Sequence, residues 1–147
     1  MSTIVRSALV GYSALQMYAL VEKIEAYPEF LPWCQSARVL ERGDTKTIAA
    51  LAVGLKGLKQ SFTTENVNTH GQSIDMRLVE GPFKAFRAAW KFQRLSEAAA
   101  RIEFSMKHEF SSRLLAKALD PLFDHIADTM VDAFIRRAEV VYGPNAH

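Results

Sequence analysis

The side chain best suited to nucleophilic chemistry in this sequence is a single thiol. Cys34 follows Trp33 inside an apolar run, where a small buried thiol is more common than a nucleophile, and no motif pairs it with an activating base. His70 falls in a predicted turn and His147 at the C-terminus, so both imidazoles are expected to face water. These residues predict no covalent catalysis.

A metal site is the second chemistry that the histidines suggest. Asp124 and Asp128 flank His125 in a predicted helix, but no further His, Cys or carboxylate stands at a recognised ligand spacing. Charges on a surface helix usually face water, which places this imidazole at the helix edge. We therefore expect no metal, no catalytic residue and no cofactor, and a protein that is not an enzyme.

His108 is the polar residue whose strand position places it on a predicted apolar face. It alternates with charged and polar neighbours in a run whose apolar members are Ile102, Phe104, Met106 and Phe110. A buried imidazole needs a hydrogen-bond partner. A carbonyl of a bound ligand would serve; a core backbone group would serve equally, or His108 lies beyond any cavity, near the strand end.

The elements that must position these residues begin with a strand and a short helix. Ser2 to Val10 is rich in small and β-branched residues and predicts a strand that ends at Gly11. Ser13 is placed to cap a following helix with apolar residues at three- and four-residue spacing. The segment from Tyr27 to Cys34, with two prolines and three aromatic residues, predicts a structured apolar connection.

The middle of the chain is predicted to be a meander of antiparallel hairpins. Turn signals separate strands expected at about 36–42, 45–53, 59–69, 73–79, 83–95 and 99–110. A long helix follows, which we expect to begin with Asp120 as N-cap and Pro121 as its first residue, after a separate or kinked turn at 113–119. It is expected to stop at Gly143.

These elements predict an α+β fold of helix-grip (START-like, Bet v 1-like) type, a curved antiparallel sheet wrapped around the C-terminal helix. We expect one domain over residues 1–142 and a flexible tail at 143–147. Alternate small residues on two strands predict a concave wall with a hydrophobic cavity, although large residues opposite would fill it in an ordinary core. The small residues are Ile48, Ala50, Ala52 and Gly54, and Ala85, Ala88 and Ala89.

If the cavity is open, aromatic, Met and His side chains are the expected ligand contacts. These are Tyr27, Phe30, Trp33, Phe62, Phe83, Phe86, Trp90, Phe104, His108, Met130 and Phe134. The segment 53–59 mixes leucines with lysines, a composition found both in ordinary strand ends and in segments that touch anionic lipid surfaces. The candidate contacts of this segment with a membrane or with another partner are Leu55, Lys56, Leu58 and Lys59.

Composition limits the partners further. The chain has 147 residues, 49% of them apolar, and a net charge of +2, which is too small to indicate a nucleic-acid-binding protein, and no DNA partner is expected. One cysteine suits a reducing compartment, and no window is long and apolar enough to span a membrane. Without an export signal, the expected location is the cytoplasm, with peripheral contact to the inner membrane as an option.

Two motifs resemble those of the coenzyme Q-binding, START-like family within the polyketide cyclase and lipid-transport superfamily. They are Tyr27-Pro28-Glu29-Phe30-Leu31-Pro32-Trp33-Cys34 and Leu78-Val79-Glu80-Gly81-Pro82-Phe83, followed by Trp90 and Phe92 and by a similar helix from Met130 to Ala138. The resemblance implies a tunnel for ubiquinone or another polyprenyl lipid and a carrier role that supports respiratory electron transport. Mitochondrial relatives carry a targeting leader that is missing here, which points to a bacterial protein.

The same resemblance implies two alternatives. Some bacterial relatives are ribosome-association toxins, which bind the large ribosomal subunit and block its joining with the small one. Such a role needs an exposed basic surface, for which the candidates are Lys56, Lys59, Lys84, Arg87, Lys91 and Arg94. A polyketide cyclase or aromatase is the other alternative, and it follows from the shared fold alone.

Overall fold

The computed structural model describes residues 2–144 and contains the predicted elements in the predicted order. Strand bounds differ from the expected ones by no more than two residues, and the connection at 24–30 is helical. The elements are β1 (Ser2–Val10), α1 (Ala14–Glu22), a 3-10 turn (Ile24–Ala26), α2 (Tyr27–Phe30), β2 (Cys34–Arg42), β3 (Lys46–Leu55), β4 (Leu58–Thr69), β5 (Ser73–Glu80), β6 (Phe83–Ser96), β7 (Ala99–Phe110) and α3 (Arg113–Tyr142).

Within residues 2–144 the strands form one seven-stranded antiparallel sheet in the order β1-β7-β6-β5-β4-β3-β2. Consecutive strands from β2 to β7 are neighbours, and β1 pairs with β7 at the far edge. Helix α3 packs against β7 and β1 on one face of this sheet, and α1 packs against α3. The helix-grip fold is thereby confirmed.

Helix α1 begins as its sequence predicts. The Ser13 hydroxyl accepts a hydrogen bond from the Gln16 backbone N–H at 3.0 Å, and the Gln16 side chain accepts one from the Ser13 N–H at 2.9 Å. This reciprocal capping box satisfies two backbone donors that the first helical turn leaves free. Met17, Tyr18 and Val21 then face the core.

The predicted start of α3 at Asp120 is wrong. The helix begins eight residues earlier, with Arg113 as its first residue and Ser112 as its N-cap, where the Ser112 hydroxyl accepts from the Leu115 N–H at 3.2 Å, and it runs through Pro121. Proline removes only the hydrogen bond to the Lys117 carbonyl, and Pro121 and Lys117 both lie on the exposed side of the helix, where water can bond to that carbonyl.

The predicted end of α3 is confirmed. Gly143 adopts a φ of 87°, a left-handed conformation that glycine tolerates, and its N–H bonds to the Glu139 carbonyl at 3.0 Å. The Tyr12 hydroxyl also donates to the Gly143 carbonyl at 2.7 Å, which ties the helix end to the β1–α1 connection. Residues 145–147 of the expected flexible tail, including His147, lie outside the described residues.

Alternation along β7 is also confirmed. Ile102, Phe104, Met106, His108 and Phe110 are all buried on the face that meets α3. Among the helices of the described part of the chain, none is long and apolar enough to cross a membrane.

Candidate functional site

An apolar cavity of about 50 Å³ lies between the sheet and α3. Its walls come from α2, from the inner face of β3 to β7 and from the buried stripe of α3. The lining residues are Tyr27, Trp33, Leu51, Val53, Phe62, Thr64, Met76, Phe86, Ala88, Trp90, Phe104, Met106, Phe123, Ile126 and Met130. The cavity is the natural place for an apolar ligand in this fold.

Seven of the predicted ligand contacts line this cavity. They are Tyr27, Trp33, Phe62, Phe86, Trp90, Phe104 and Met130. Sequence reasoning missed Met106, although it shares the β7 face with Phe104, and Ile126, although it shares the helical stripe with Met130. Their patterns would have found both.

Three predicted aromatic contacts do not line the cavity and instead support it from behind. Phe134 is fully buried, and its ring centroid lies 5.2 Å from that of Trp90 and 5.0 Å from that of Phe30. Phe30 is half-buried and carries the Arg137 guanidinium 4.8 Å above its ring. Phe83 stacks on Phe110 at 4.7 Å, under the β6–β7 end of the sheet. These rings fix the shape of the wall, and ligand contact by them stays a prediction.

The predicted small-residue wall of β3 is wrong. Leu51 and Val53 line the cavity, so Ala50, Ala52 and Gly54 lie on the other face of the strand with Ile48. Gly54 is small for another reason: a Cβ there would clash with the Leu58 carbonyl oxygen and lie 2.7 Å from the Gln35 amide nitrogen. Of the three alanines of β6, only Ala88 lines the cavity.

Large side chains fill most of the space in which the small residues of two strands predicted an open cavity. The Trp90 ring lies 5.1 Å from Phe104, and Phe62 lies 5.5 Å from Phe86 and 5.7 Å from Phe123. Pockets that hold drug-sized ligands usually measure about 300–1,000 Å³. The cavity in this conformation is therefore several times too small for a polyprenyl quinone.

Among the described residues that line the cavity, one has an unused hydrogen-bond donor. The Trp33 indole N–H is buried and has no hydrogen-bond partner in the protein. The neighbouring polar groups are already engaged: Thr64 donates to the Asn66 side-chain oxygen at 2.8 Å, and the Tyr27 hydroxyl donates to the Val21 carbonyl. Burial also raises the pKa of Tyr27 above its ordinary range.

His108 sits at the end of the inner face, outside the apolar cavity. Its side chain is 1% exposed, and its Nε2 lies 3.0 Å from Oδ1 of Asp120 on α3, while its Nδ1 has no partner. The partner of His108 is therefore a carboxylate and not a core backbone group, and the residue lies beyond the cavity, near the strand end. The Nε2–H donating to this carboxylate joins β7 to α3 one residue before Pro121.

The remaining candidates for chemistry lie where the sequence places them. Cys34 is buried, and burial raises the pKa of its thiol to about 11, so the thiolate is scarce at neutral pH. His70 and His125 are exposed. Asp128 accepts from the Arg6 Nε at 3.1 Å. Over residues 2–144, no group of three or more His, Cys, Asp or Glu side chains is placed to hold a metal ion.

The segment 53–59 is a tight hairpin between β3 and β4. Lys56 and Gly57 form its two-residue turn with φ values of 53° and 86°, the positive values that favour short β-hairpins. Leu55 is half-buried, while Lys56, Leu58 and Lys59 are exposed. Contact of these residues with a membrane or a ribosome stays a prediction.

A curved sheet gripping one long helix around an internal apolar cavity defines a helix-grip protein. The sequence model of the polyketide cyclase/dehydrase and lipid transport family matches residues 10–135, and the chain belongs to that family. The predicted resemblance is confirmed.

Two relatives and one solved structure are similar to this chain. The ribosome association toxin RatA of Vibrio cholerae is 45% identical over 97% of this chain and 99% of its own. The mitochondrial coenzyme Q-binding protein COQ10 of Dictyostelium discoideum is 27% identical over 90% of this chain and 66% of its own. The crystal structure of the aromatase/cyclase Zhui from Streptomyces sp. R1128 has a TM-score of 0.79 at 15% identity, covering 94% of this chain and 93% of its own.

Proposed function

We propose that this protein associates with the large ribosomal subunit and hinders its joining with the small one, without catalysis and without a cofactor. The observation that carries the proposal is the 45% identity to a ribosome association toxin over nearly the full length of both chains. The likeness to a coenzyme Q-binding protein is weaker, at 27% identity. A ribosomal partner would place the protein in the cytoplasm.

The small volume of the cavity also favours ribosome association over the role of a quinone carrier. A volume of about 50 Å³ leaves no room for a polyprenyl chain unless α3 or the sheet moves. Likeness to an aromatase/cyclase at 15% identity concerns the fold alone and supports no cyclase activity here.

The proposal is tested by sedimentation of the purified protein with separated bacterial ribosomal subunits at low salt. We expect the protein to pellet with large subunits at near-equal stoichiometry and not with small subunits, since the proposed partner is the large one. The small subunit is the matched control because its RNA backbone carries the same charge chemistry. Equal pelleting with both subunits, or with neither, would contradict the proposal.

A second candidate function is supported by the unused indole N–H of Trp33. A buried donor without a partner costs free energy, and a carbonyl on an apolar ligand would satisfy it. We propose that the cavity, once widened by a movement of α3 or of the sheet, accepts a small apolar molecule with a hydrogen-bond acceptor, such as a quinone head group. This binding would occur in addition to ribosome association, and it does not imply that the protein carries quinones.

Trp33→Phe is expected to weaken binding of 2,3-dimethoxy-5-methyl-1,4-benzoquinone by about tenfold, because it removes one hydrogen bond to the carbonyl. Isothermal titration calorimetry measures the affinity. Tyr27→Phe is the control, since its hydroxyl already bonds to Val21 and is not free for a ligand. Equal affinity for the wild type and the Trp33→Phe protein, or no binding to either, would contradict this second proposed function.

A further inference from the structure

Three cationic side chains face one another across neighbouring strands on the outer face of the sheet. Arg77 of β5 pairs with Arg87 of β6, and Arg87 pairs with Lys107 of β7. Arg77 follows Met76, Arg87 follows Phe86 and Lys107 follows Met106, and each of these preceding residues lines the cavity. The three cationic side chains therefore point to the opposite face of the sheet, away from α3. All three are exposed. We call these three residues the cationic row.

The fold alone gives no reason for this arrangement. Like charges directly opposite each other on adjacent strands destabilise a sheet, and Arg87 has a cation on both sides. Arg77 forms an ion pair with Glu65 of β4, but among residues 2–144 neither Arg87 nor Lys107 has a carboxylate within ion-pair distance. The cationic row therefore carries unbalanced positive charge.

The surface around the row is open enough for close approach. The next pair along β6 and β7 is Ala89 opposite Ser105, both small. Strands lie about 4.8 Å apart, so the Cα atoms of the three residues fall within roughly 10 Å of one another. Asp75 lies beside Ala89 and Glu103 faces Lys91, so carboxylates border the row on that side and limit the positive surface to a narrow strip.

The cationic row does not include the hairpin of segment 53–59, whose lysines the sequence analysis named as candidate contacts. Thr63 of β4 pairs with Glu80, the last residue of β5, so the stretch of β4 that carries Lys59 extends beyond β5. Of the predicted basic candidates, Arg87 alone belongs to the row. Arg77 and Lys107 join it through strand pairing, which no local pattern reveals.

We propose that Arg77, Arg87 and Lys107 form a phosphate-binding row that contacts the RNA backbone of the large ribosomal subunit. Arginine presents a planar fork of donors that matches phosphate oxygens, and lysine adds a mobile point charge. The polyanion supplies the counter-charge that Arg87 and Lys107 lack in the protein. The inference rests on the proposed function and names the surface and the chemical group through which it works.

The test compares Arg87→Gln and Lys107→Gln with the wild type in binding to purified bacterial large subunits from about 50 to about 200 mM salt. Each substitution is expected to lower affinity by about tenfold at low salt, and to reduce the slope of log affinity against log salt by about one. Arg136→Gln is the matched control, because it removes the same charge from an exposed position on α3, on the other side of the sheet.

Thermal unfolding provides the second readout. Arg87→Gln relieves repulsion with both neighbours, so its melting temperature is expected to equal or exceed that of the wild type, which excludes unfolding as the cause of lost binding. Wild-type salt slopes in both variants would overturn the row while leaving the proposed function intact. No binding of the wild type to large subunits, or preferential binding to phosphatidylglycerol vesicles, would overturn both.

Discussion

Phe123→Ala is expected to lower the free energy of unfolding by about 3–5 kcal/mol, the usual cost of removing a buried phenylalanine ring. Phe123 is 1% exposed and projects from α3 into the end of the sheet, where its ring lies 5.3 Å from Phe83, 5.4 Å from Phe110 and 5.7 Å from Phe62. The alanine would leave a hole that joins the existing cavity. Urea denaturation followed by circular dichroism measures the loss.

The matched control for this prediction is Phe30→Ala. Phe30 is half-buried and packs against Tyr27 and Phe134, so the same change of side chain should cost clearly less. A loss at Phe123 below about 1 kcal/mol, or equal losses at the two positions, would show that α3 does not grip the sheet through this ring.

Asp120→Ala is expected to destabilise the protein by about 1–3 kcal/mol, the penalty for leaving a buried polar group without its partner. The Asp120 carboxylate is the hydrogen-bond acceptor for His108 in the structure, and Nδ1 of that ring is already unpartnered. Asp120→Asn keeps an acceptor oxygen at the same place and is expected to retain most of the stability. Urea denaturation of both variants at neutral pH measures the difference.

Similar losses in Asp120→Ala and Asp120→Asn would indicate that charge, and not hydrogen bonding, holds His108 to α3. No loss in either variant would contradict the assigned contact altogether. The pair lies where α3 passes Pro121, so the contact fixes the helix against β7 close to its weakest point.

Local patterns predicted the strands, the α1 cap and the buried face of β7 because each depends on neighbours a few residues apart. The start of α3 was missed since Asp120-Pro121 is a good local start signal, and the Ser112 cap with exposure of Pro121 overrides it. The inward face of β3 was misassigned because small residues can mark either a cavity or a close backbone approach, as at Gly54.

The candidate site was predictable in composition but not in size. Aromatic and Met residues at strand and helix spacing identified about half of the cavity wall, because alternation fixes which face is buried. The volume depends on how rings from different elements meet, such as Trp90 against Phe104, and no spacing rule encodes that distance. The cationic row depends on the register of three strands, which the pairing of β5 with β6 and of β6 with β7 sets.

The most direct test of the proposed function is a sucrose-gradient profile of ribosomal subunits mixed under joining conditions, with and without the purified protein. We expect the protein to migrate with free large subunits, and the peak of joined ribosomes to fall as the protein approaches the large subunit in concentration. Arg136→Gln should act like the wild type. An unchanged peak of joined ribosomes, with the protein left at the top of the gradient, would contradict the account.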